Sequence, residues 1–312
     1  MSVFDEMAED GTIWMNDEYV DWEDATVHVL SHALHYGTGV FEGVRAYDTE
    51  EGTAIFRWEE HLDRLYDSTK PYDMEIDYTR EELTEATLEV LRRNDLDSAY
   101  IRPLVYYGYD SLGVSPGDCP TDVTIAAWPW GAYLGEHALE NGIKVKISSW
   151  RKHASSQIPT NAKTTGLYVN SMLAGEEARR NGFAEAIVLN KEGNVAEGPG
   201  ENLFLVRDGE IFTPGLSESI LDGITRDTLI TLAEERGFTV HDNVSISRGE
   251  LNTADELFFT GSAAEVTPIR QVDNVEIGNG TRGPVTEELQ SAFFDLVNRE
   301  TLDHDEWFTY VE

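Results

Sequence analysis

Segments with the period of a strand and segments with the period of a helix alternate along this chain, and the clearest case lies between residues 143 and 182. Ile143-Lys144-Val145-Lys146-Ile147-Ser148-Ser149 alternates apolar and polar side chains, as a strand with two unlike faces does. Leu167 to Arg180 carries Met172, Leu173 and Ala174 among good helix formers and stops at Asn181-Gly182. Between them runs Ile158-Pro159-Thr160-Asn161-Ala162-Lys163-Thr164-Thr165-Gly166-Leu167-Tyr168, in which small and polar residues crowd one lysine. Only 23 of the 312 residues are Lys or Arg, so a lysine in such a connection stands out. A lysine amine that loses its proton in a partly desolvated site forms Schiff bases with carbonyls. A solvated loop lysine is the plainer reading, and the chemical one requires a site for a carbonyl cofactor elsewhere in the chain.

The length suits two domains of ordinary size, and 40% apolar with 10% aromatic residues suits a folded protein. Against 59 acidic residues stand 23 basic ones, a formal charge of -36, which disfavours nucleic acid and anionic membranes as partners. Acids spread evenly among many aromatics point to a surface adapted to high salt rather than to a disordered chain. Stability and activity are then expected to fall when salt is removed. Cys119 is the only cysteine, so neither an intrachain disulfide nor a cysteine zinc cluster can form. Met1 to Met7 lacks the basic start and apolar core of a signal peptide, and no apolar run approaches the roughly 20 residues of a membrane span. The expected compartment is the cytoplasm.

Taken in order, residues 1–130 are expected to form a small α/β domain, 131–141 an interdomain loop, and 142–312 a large domain carrying the lysine. Asn16-Asp17 can turn a hairpin between Ile13-Trp14-Met15 and Tyr19-Val20. Gly37, Gly39 and Gly43 surround Val40 and Phe41, which suggests tight backbone that brings aromatics to a pocket, or simply a glycine-rich strand bend. A helix from Glu59 to Thr69, ending before Pro71, carries His61 and Arg64, and a second runs from Arg80 to Arg93. Arg102 sits within the apolar strand Ala99 to Tyr106 and must pair with something if buried, either a structural carboxylate or a substrate's. Beyond the lysine, Glu197 lies among glycines, where a carboxylate could face inward. Leu221-Asp222-Gly223-Ile224-Thr225-Arg226 precedes an amphipathic helix that Thr225 is placed to cap, and such a helix start can receive a phosphate. Leu257 to Val266 reads as a strand, a turn of small residues and a strand, with Gly261, Ser262 and Ala263 leaving amides open to oxygen ligands.

A lysine, an inward acid and an arginine with a helix start are the parts a pyridoxal phosphate enzyme needs. The motifs in order resemble those of branched-chain amino acid aminotransferases, the L-specific members of the fold type IV pyridoxal phosphate family. The resemblance runs from His32-Ala33-Leu34-His35-Tyr36-Gly37 to Gly283-Pro284-Val285-Thr286. Its most specific runs are Glu60-His61-Leu62-Asp63-Arg64-Leu65, Ile158 to Lys163, Glu197-Gly198-Pro199-Gly200-Glu201-Asn202-Leu203-Phe204 and Gly223-Ile224-Thr225-Arg226.

The resemblance implies a two-domain α+β or α/β fold like that of D-amino acid aminotransferase, with the cofactor in the cleft between domains. By it, Lys163 holds the cofactor as a Schiff base and moves the proton at the substrate's Cα. Glu197 bonds the pyridine nitrogen and Tyr168 the phenolic oxygen. Arg64, Ile224, Thr225 and Ser262 hold the phosphate, with Leu221, Gly223 and Gly261 completing that set; Ser262 stands where the family commonly has threonine. Phe41, Gly43, Leu112, Trp130 and Tyr133 resemble the substrate-side lining. Arg102 with Tyr36 would receive glutamate's distal carboxylate, while Tyr100 and the Ser262 and Ala263 amides would take the α-carboxylate. A homodimer is implied at least, with a trimer of dimers as the larger form. Asp222 departs from the proline the family often carries. The nearest rivals are a D-amino acid aminotransferase or aminodeoxychorismate lyase of the same fold, which would share Lys163 and Glu197, and a non-catalytic binding protein that keeps the fold.

Overall fold

The computed structural model describes residues 7, 10–131, 135–301 and 303–311. They group into two compact units. The first holds residues 1–130, 162–167 and 297–312, and the second holds 131–161 and 168–296. The second unit is not continuous in sequence: the segment with Lys163 and the C-terminal residues group with the first.

In the first unit, β1 (Thr12–Met15) and β2 (Glu18–Asp21) form the expected hairpin. Asn16 and Asp17 both have positive φ, at 47° and 69°, as a two-residue turn matching strand twist requires. Helix α1 (His32–Tyr36) ends on left-handed Gly37. There follow β3 (Gly39–Phe41), β4 (Val44–Thr49), β5 (Gly52–Phe56), α2 (Trp58–Thr69), α3 (Arg80–Arg93), β6 (Ala99–Tyr107) and β7 (Thr121–Trp128). The described strands make an antiparallel sheet in the order β5-β4-β6-β7-β1-β2, with β3 paired to β6 and the C-terminal strand Phe308–Tyr310 paired to β5. That last pairing is why the C-terminus joins this unit.

Strand side chains alternate between faces, and here one face is the core. Ala99, Ile101 and Val105 of β6, with Val123, Ile125 and Ala127 of β7, pack with Trp58, Leu62 and Leu65 of α2 and Leu83, Val90 and Leu91 of α3. Helix α3 starts at a capping box in which the Thr79 hydroxyl accepts from the Glu82 amide and Glu82 accepts from the Thr79 amide. The other face of β6 and β7 therefore carries Tyr100, Arg102, Leu104, Thr124, Ala126 and Trp128.

The second unit begins with α4 (Glu136–Asn141), within the stretch expected to be interdomain loop. Strand β8 (Ile143–Arg151), α5 (Tyr168–Arg180) and β9 (Glu185–Leu189) follow, with β8 and β9 parallel. Ala174 and Ala178 of α5 pack on Ala186 and Val188, while Ile187 and Leu189 face the larger core with Val145, Leu203, Leu257 and Ile269. The remaining elements are β10 (Val195–Glu197), β11 (Asn202–Arg207), β12 (Glu210–Pro214), α6 (Ile224–Glu235), β13 (Val240–Val244), α7 (Arg248–Leu251), β14 (Glu256–Gly261), β15 (Glu265–Val272), β16 (Val275–Glu276) and α8 (Pro284–Val297). The mixed sheet runs β10-β9-β8-β15-β14-β11-β12-β13, with β16 on β15. Among the described residues no helix is long and apolar enough to cross a membrane, and no group of His, Cys, Asp and Glu is arranged to hold a metal.

Candidate active site

Lys163 is fixed by its backbone before its side chain does anything. The Phe41 amide donates to the Lys163 carbonyl at 3.0 Å, the Lys163 amide donates to Ser68 Oγ at 3.0 Å, and Val40 and Thr164 form an antiparallel bridge. Thr165 Oγ1 donates to the Gly37 carbonyl at 2.9 Å. Gly37 has φ 66°, and a Cβ there would stand 2.8 Å from the Gly166 Cα, so both conformation and space demand glycine. These bonds place the lysine segment in the first unit. The Lys163 Nζ lies 5.4 Å from the centre of the Phe41 ring. Burial holds its amine below the ordinary lysine range; the Glu42 charge opposes that shift and the Arg64 charge adds to it.

Glu42 is the centre of a cluster to which the sequence reading gives no role. It is 1% exposed, and it accepts from Arg64 Nε at 2.7 Å, from Arg64 Nη2 at 2.8 Å and from His61 Nδ1 at 2.6 Å. Burial alone would raise its carboxyl, but the Arg64 guanidinium, with His61, outweighs burial and holds it well below the usual carboxylate range. His61 is itself pushed down by burial, with Glu42 opposing, and against the ionised Glu42 carboxylate its Nδ1 is the donor. Arg64 supplies the positive charge of the cluster. Helix α2 brings His61, Arg64 and Ser68 to one side, since residues three and seven apart share a helix face.

Tyr100, Arg102 and Phe41 also meet. Arg102 Nη2 donates to the Tyr100 hydroxyl at 3.2 Å, and the guanidinium carbon lies 4.7 Å from the Phe41 ring centre. No acid pairs with Arg102 among the described residues, and its buried Nε has no hydrogen-bond partner. A Cβ on Gly43 would fall 1.9 Å from the Tyr100 hydroxyl oxygen, so only glycine admits that tyrosine. Trp130 packs on Tyr100 with ring centres 5.2 Å apart. Tyr36 and Leu112 stand elsewhere: the Tyr36 hydroxyl donates to the Leu112 carbonyl at 3.4 Å, the ring packs on His32, and the two residues are 43% and 46% exposed. Tyr36 and Arg102, expected to share glutamate's distal carboxylate, make no contact with each other among the described residues. Tyr133 lies outside the described residues.

In the second unit Glu197 is 5% exposed, on β10. Its Oε1 receives Lys152 Nζ, and its Oε2 accepts from the Leu221 amide at 2.9 Å and from Asn202 Nδ2 at 3.2 Å. Asn202 also donates to the Leu221 carbonyl at 2.9 Å, tying Glu197 to the chain that enters α6. Gly223 is the N-cap of that helix and provides no side-chain cap; a Cβ there would fall 1.9 Å from Asn202 Oδ1. Thr225 therefore does not cap the helix as expected but lies in its first turn, 5% exposed. Asp222, 61% exposed along its side chain, pairs at 3.6 Å with Arg226, which is buried and also donates to the Pro214 and Asp242 carbonyls. An acid preceding the helix start suits the helix dipole. Tyr168 opens α5, and Gly261, Ser262 and Ala263 lie at the turn between β14 and β15. Two members of the site escape a reading of the chain alone. Lys152 shows only as a rare cation at the end of a strand, and Glu42 only as a lone acid beside Val40 and Phe41.

The chain matches the family model "Amino-transferase class IV" over residues 39–272. It is 55% identical over 303 residues to the branched-chain-amino-acid aminotransferase of Pseudomonas aeruginosa, covering 97% of this chain and 98% of that one. With the enzyme of that name from Escherichia coli strain K12 it shares 52% over 300 residues, 96% of this chain and 97% of the other. A crystal structure of the Escherichia coli branched-chain amino acid aminotransferase superposes with TM-score 0.94 at 51% identity, covering 97% of this chain and all of that one. The branched-chain amino acid aminotransferase of Thermobaculum terrenum, in its PLP-bound holo form, superposes with TM-score 0.90 at 36% identity, covering 97% and 99%. With a matching family model across most of its length and relatives above half identity over nearly all of it, the chain belongs to the class IV amino-transferase family.

Proposed function

We propose that this protein is a branched-chain-amino-acid aminotransferase, moving the amino group between L-leucine, L-isoleucine or L-valine and 2-oxoglutarate with pyridoxal 5'-phosphate. The observation that carries the reading is the ring of Phe41, which has an amine held below its ordinary range on one contact and, on another, an arginine with no acid partner among the described residues.

The residues present fit the coenzyme. Lys163 offers an amine whose proton is easily lost, Glu197 a buried carboxylate already oriented by three donors, and Gly223 a helix start with no side chain in the way. When bound, the coenzyme supplies an aldehyde and an electron-withdrawing ring that takes up charge from the substrate's Cα. Lys163 takes the Cα proton and returns it, a task suited to an amine of lowered basicity. Glu197 accepts the ring N–H, and Tyr168 bonds the phenolic oxygen. Arg64, the Ile224 amide, Thr225 and Ser262 hold the phosphate, Arg64 with its plane set by Glu42 and the others by the helix start and the β14–β15 turn.

On the substrate side, Tyr100 and the Ser262 and Ala263 amides take the α-carboxylate, and Arg102 takes the distal carboxylate of glutamate. Within the chain Phe41 and Trp130 form the apolar lining, with Gly43 giving Tyr100 its room. A homodimer accounts for Tyr36 and Leu112, which are exposed here, as are Val27, Val29, Leu34, Tyr109 and Val114 of the same stretch of chain. Association through these residues would complete the lining, and the compartment is the cytoplasm. The test is turnover of L-leucine and of D-alanine with 2-oxoglutarate. The L-substrate alone should react, and turnover restricted to D-alanine would reassign the protein to the D-amino acid aminotransferases.

A further inference from the structure

The pairing of β6 with β7 builds the surroundings of Arg102. Tyr100 lies opposite Trp128, and Arg102 lies opposite Ala126. Opposed and diagonal side chains on one sheet face can touch. The small residue across from the arginine leaves room above the strand for a guanidinium, and the large one on the diagonal reaches back toward it. The result is a cation among three rings: the Arg102 carbon Cζ is 4.7 Å from the centre of Phe41, 5.3 Å from Tyr100 and 6.0 Å from Trp128. Trp128 also buttresses Tyr100, with ring centres 5.4 Å apart.

Burying a guanidinium without an acid is costly, and ring faces offset the cost without using its N–H groups. An acid partner would offset it too, but would consume the donors. The aromatic solution leaves the donors to a ligand carboxylate, and the same rings present apolar surface to an aliphatic side chain.

We propose that Trp128, together with the small Ala126, is a positioning residue that holds the Arg102 guanidinium for the distal carboxylate of dicarboxylate substrates, and so sets the balance between these and branched aliphatic ones. The inference rests on the assignment of Arg102 to that carboxylate.

The test measures KM and kcat for 2-oxoglutarate and for L-leucine separately in four variants. Trp128→Leu should raise KM for 2-oxoglutarate by about 10-fold, the size of a partly desolvated cation–π contact, with a much smaller change for leucine. Trp128→Phe, which keeps a ring, should recover most of the loss. Ala126→Leu fills the space across from Arg102 and should give the same selective rise with Trp128 intact, and it carries the test should Trp128→Leu not fold. Arg102→Leu is the control: an unchanged KM for 2-oxoglutarate would overturn the assignment of Arg102 itself. If Arg102→Leu raises that KM while Trp128→Leu and Ala126→Leu leave the ratio of the two KM values unchanged, the inference about Trp128 fails and the assignment of Arg102 stands.

Discussion

Glu42 places a charge where water barely reaches it. A carboxylate 1% exposed is tolerable because Arg64 and His61 fill its acceptor sites, and Arg64 is tolerable because it forks onto Glu42. Removing one partner of a buried pair leaves an uncompensated charge. Glu42→Gln is therefore expected to cost about 3–5 kcal/mol of stability, read from denaturant unfolding, and a loss below about 1 kcal/mol would contradict the pairing. The pH dependence has a definite sign. A carboxyl held below its unfolded value stabilises the fold in full above that value and loses the contribution progressively as pH falls from there through the folded value, well below the usual range. Part of the wild-type contribution of Glu42 thus remains in acid that would protonate ordinary carboxylates, and it shrinks as the pH falls further.

At the scale of elements, the contact between α5 and β9 contains a group with the opposite behaviour. Glu185, 6% exposed at the start of β9, has its carboxyl pushed up to about 7 by burial, with the Ala186 amide and the Arg179 charge only partly opposing. Between 4.5, its ordinary value, and about 7 the folded state keeps a proton that the unfolded chain has lost, so stability falls as pH rises through that window. Glu185→Gln should remove that slope and raise the melting temperature at pH 8 relative to wild type, with little difference at pH 4.5. Equal melting temperatures at pH 8 would contradict it.

The elements themselves are legible in the sequence because their signals are local. The Asn16-Asp17 turn, the α3 limits at Arg80 and Arg93 and the alternation of β8 all follow from neighbours along the chain. Lys163 is legible as a rare cation among small residues. What is not legible depends on pairing at a distance. The Lys163 segment joins the first unit through bonds to Gly37, Phe41 and Ser68, far away in the chain. Thr225 has the residue type of a cap, but the cap position falls to Gly223, where Asn202 excludes a side chain. Trp128 gains its role only from the register that sets it across from Tyr100.

For the whole molecule, the charge of -36 must be carried by the folded state as well as by the chain. Salt shortens the range of that repulsion, from about 30 Å at 0.01 M to about 3 Å at 1 M. Melting temperature and activity should both fall as salt is lowered across this range; values unchanged in dilute buffer would show that the acids are spaced widely enough not to matter. The proposed chemistry turns on one amine, and the most direct measurement of it is borohydride reduction of the holoenzyme followed by peptide mass spectrometry. A phosphopyridoxyl adduct on Lys163 is the predicted result, whereas an adduct on another lysine such as Lys152, or none in protein supplied with the coenzyme, would contradict it.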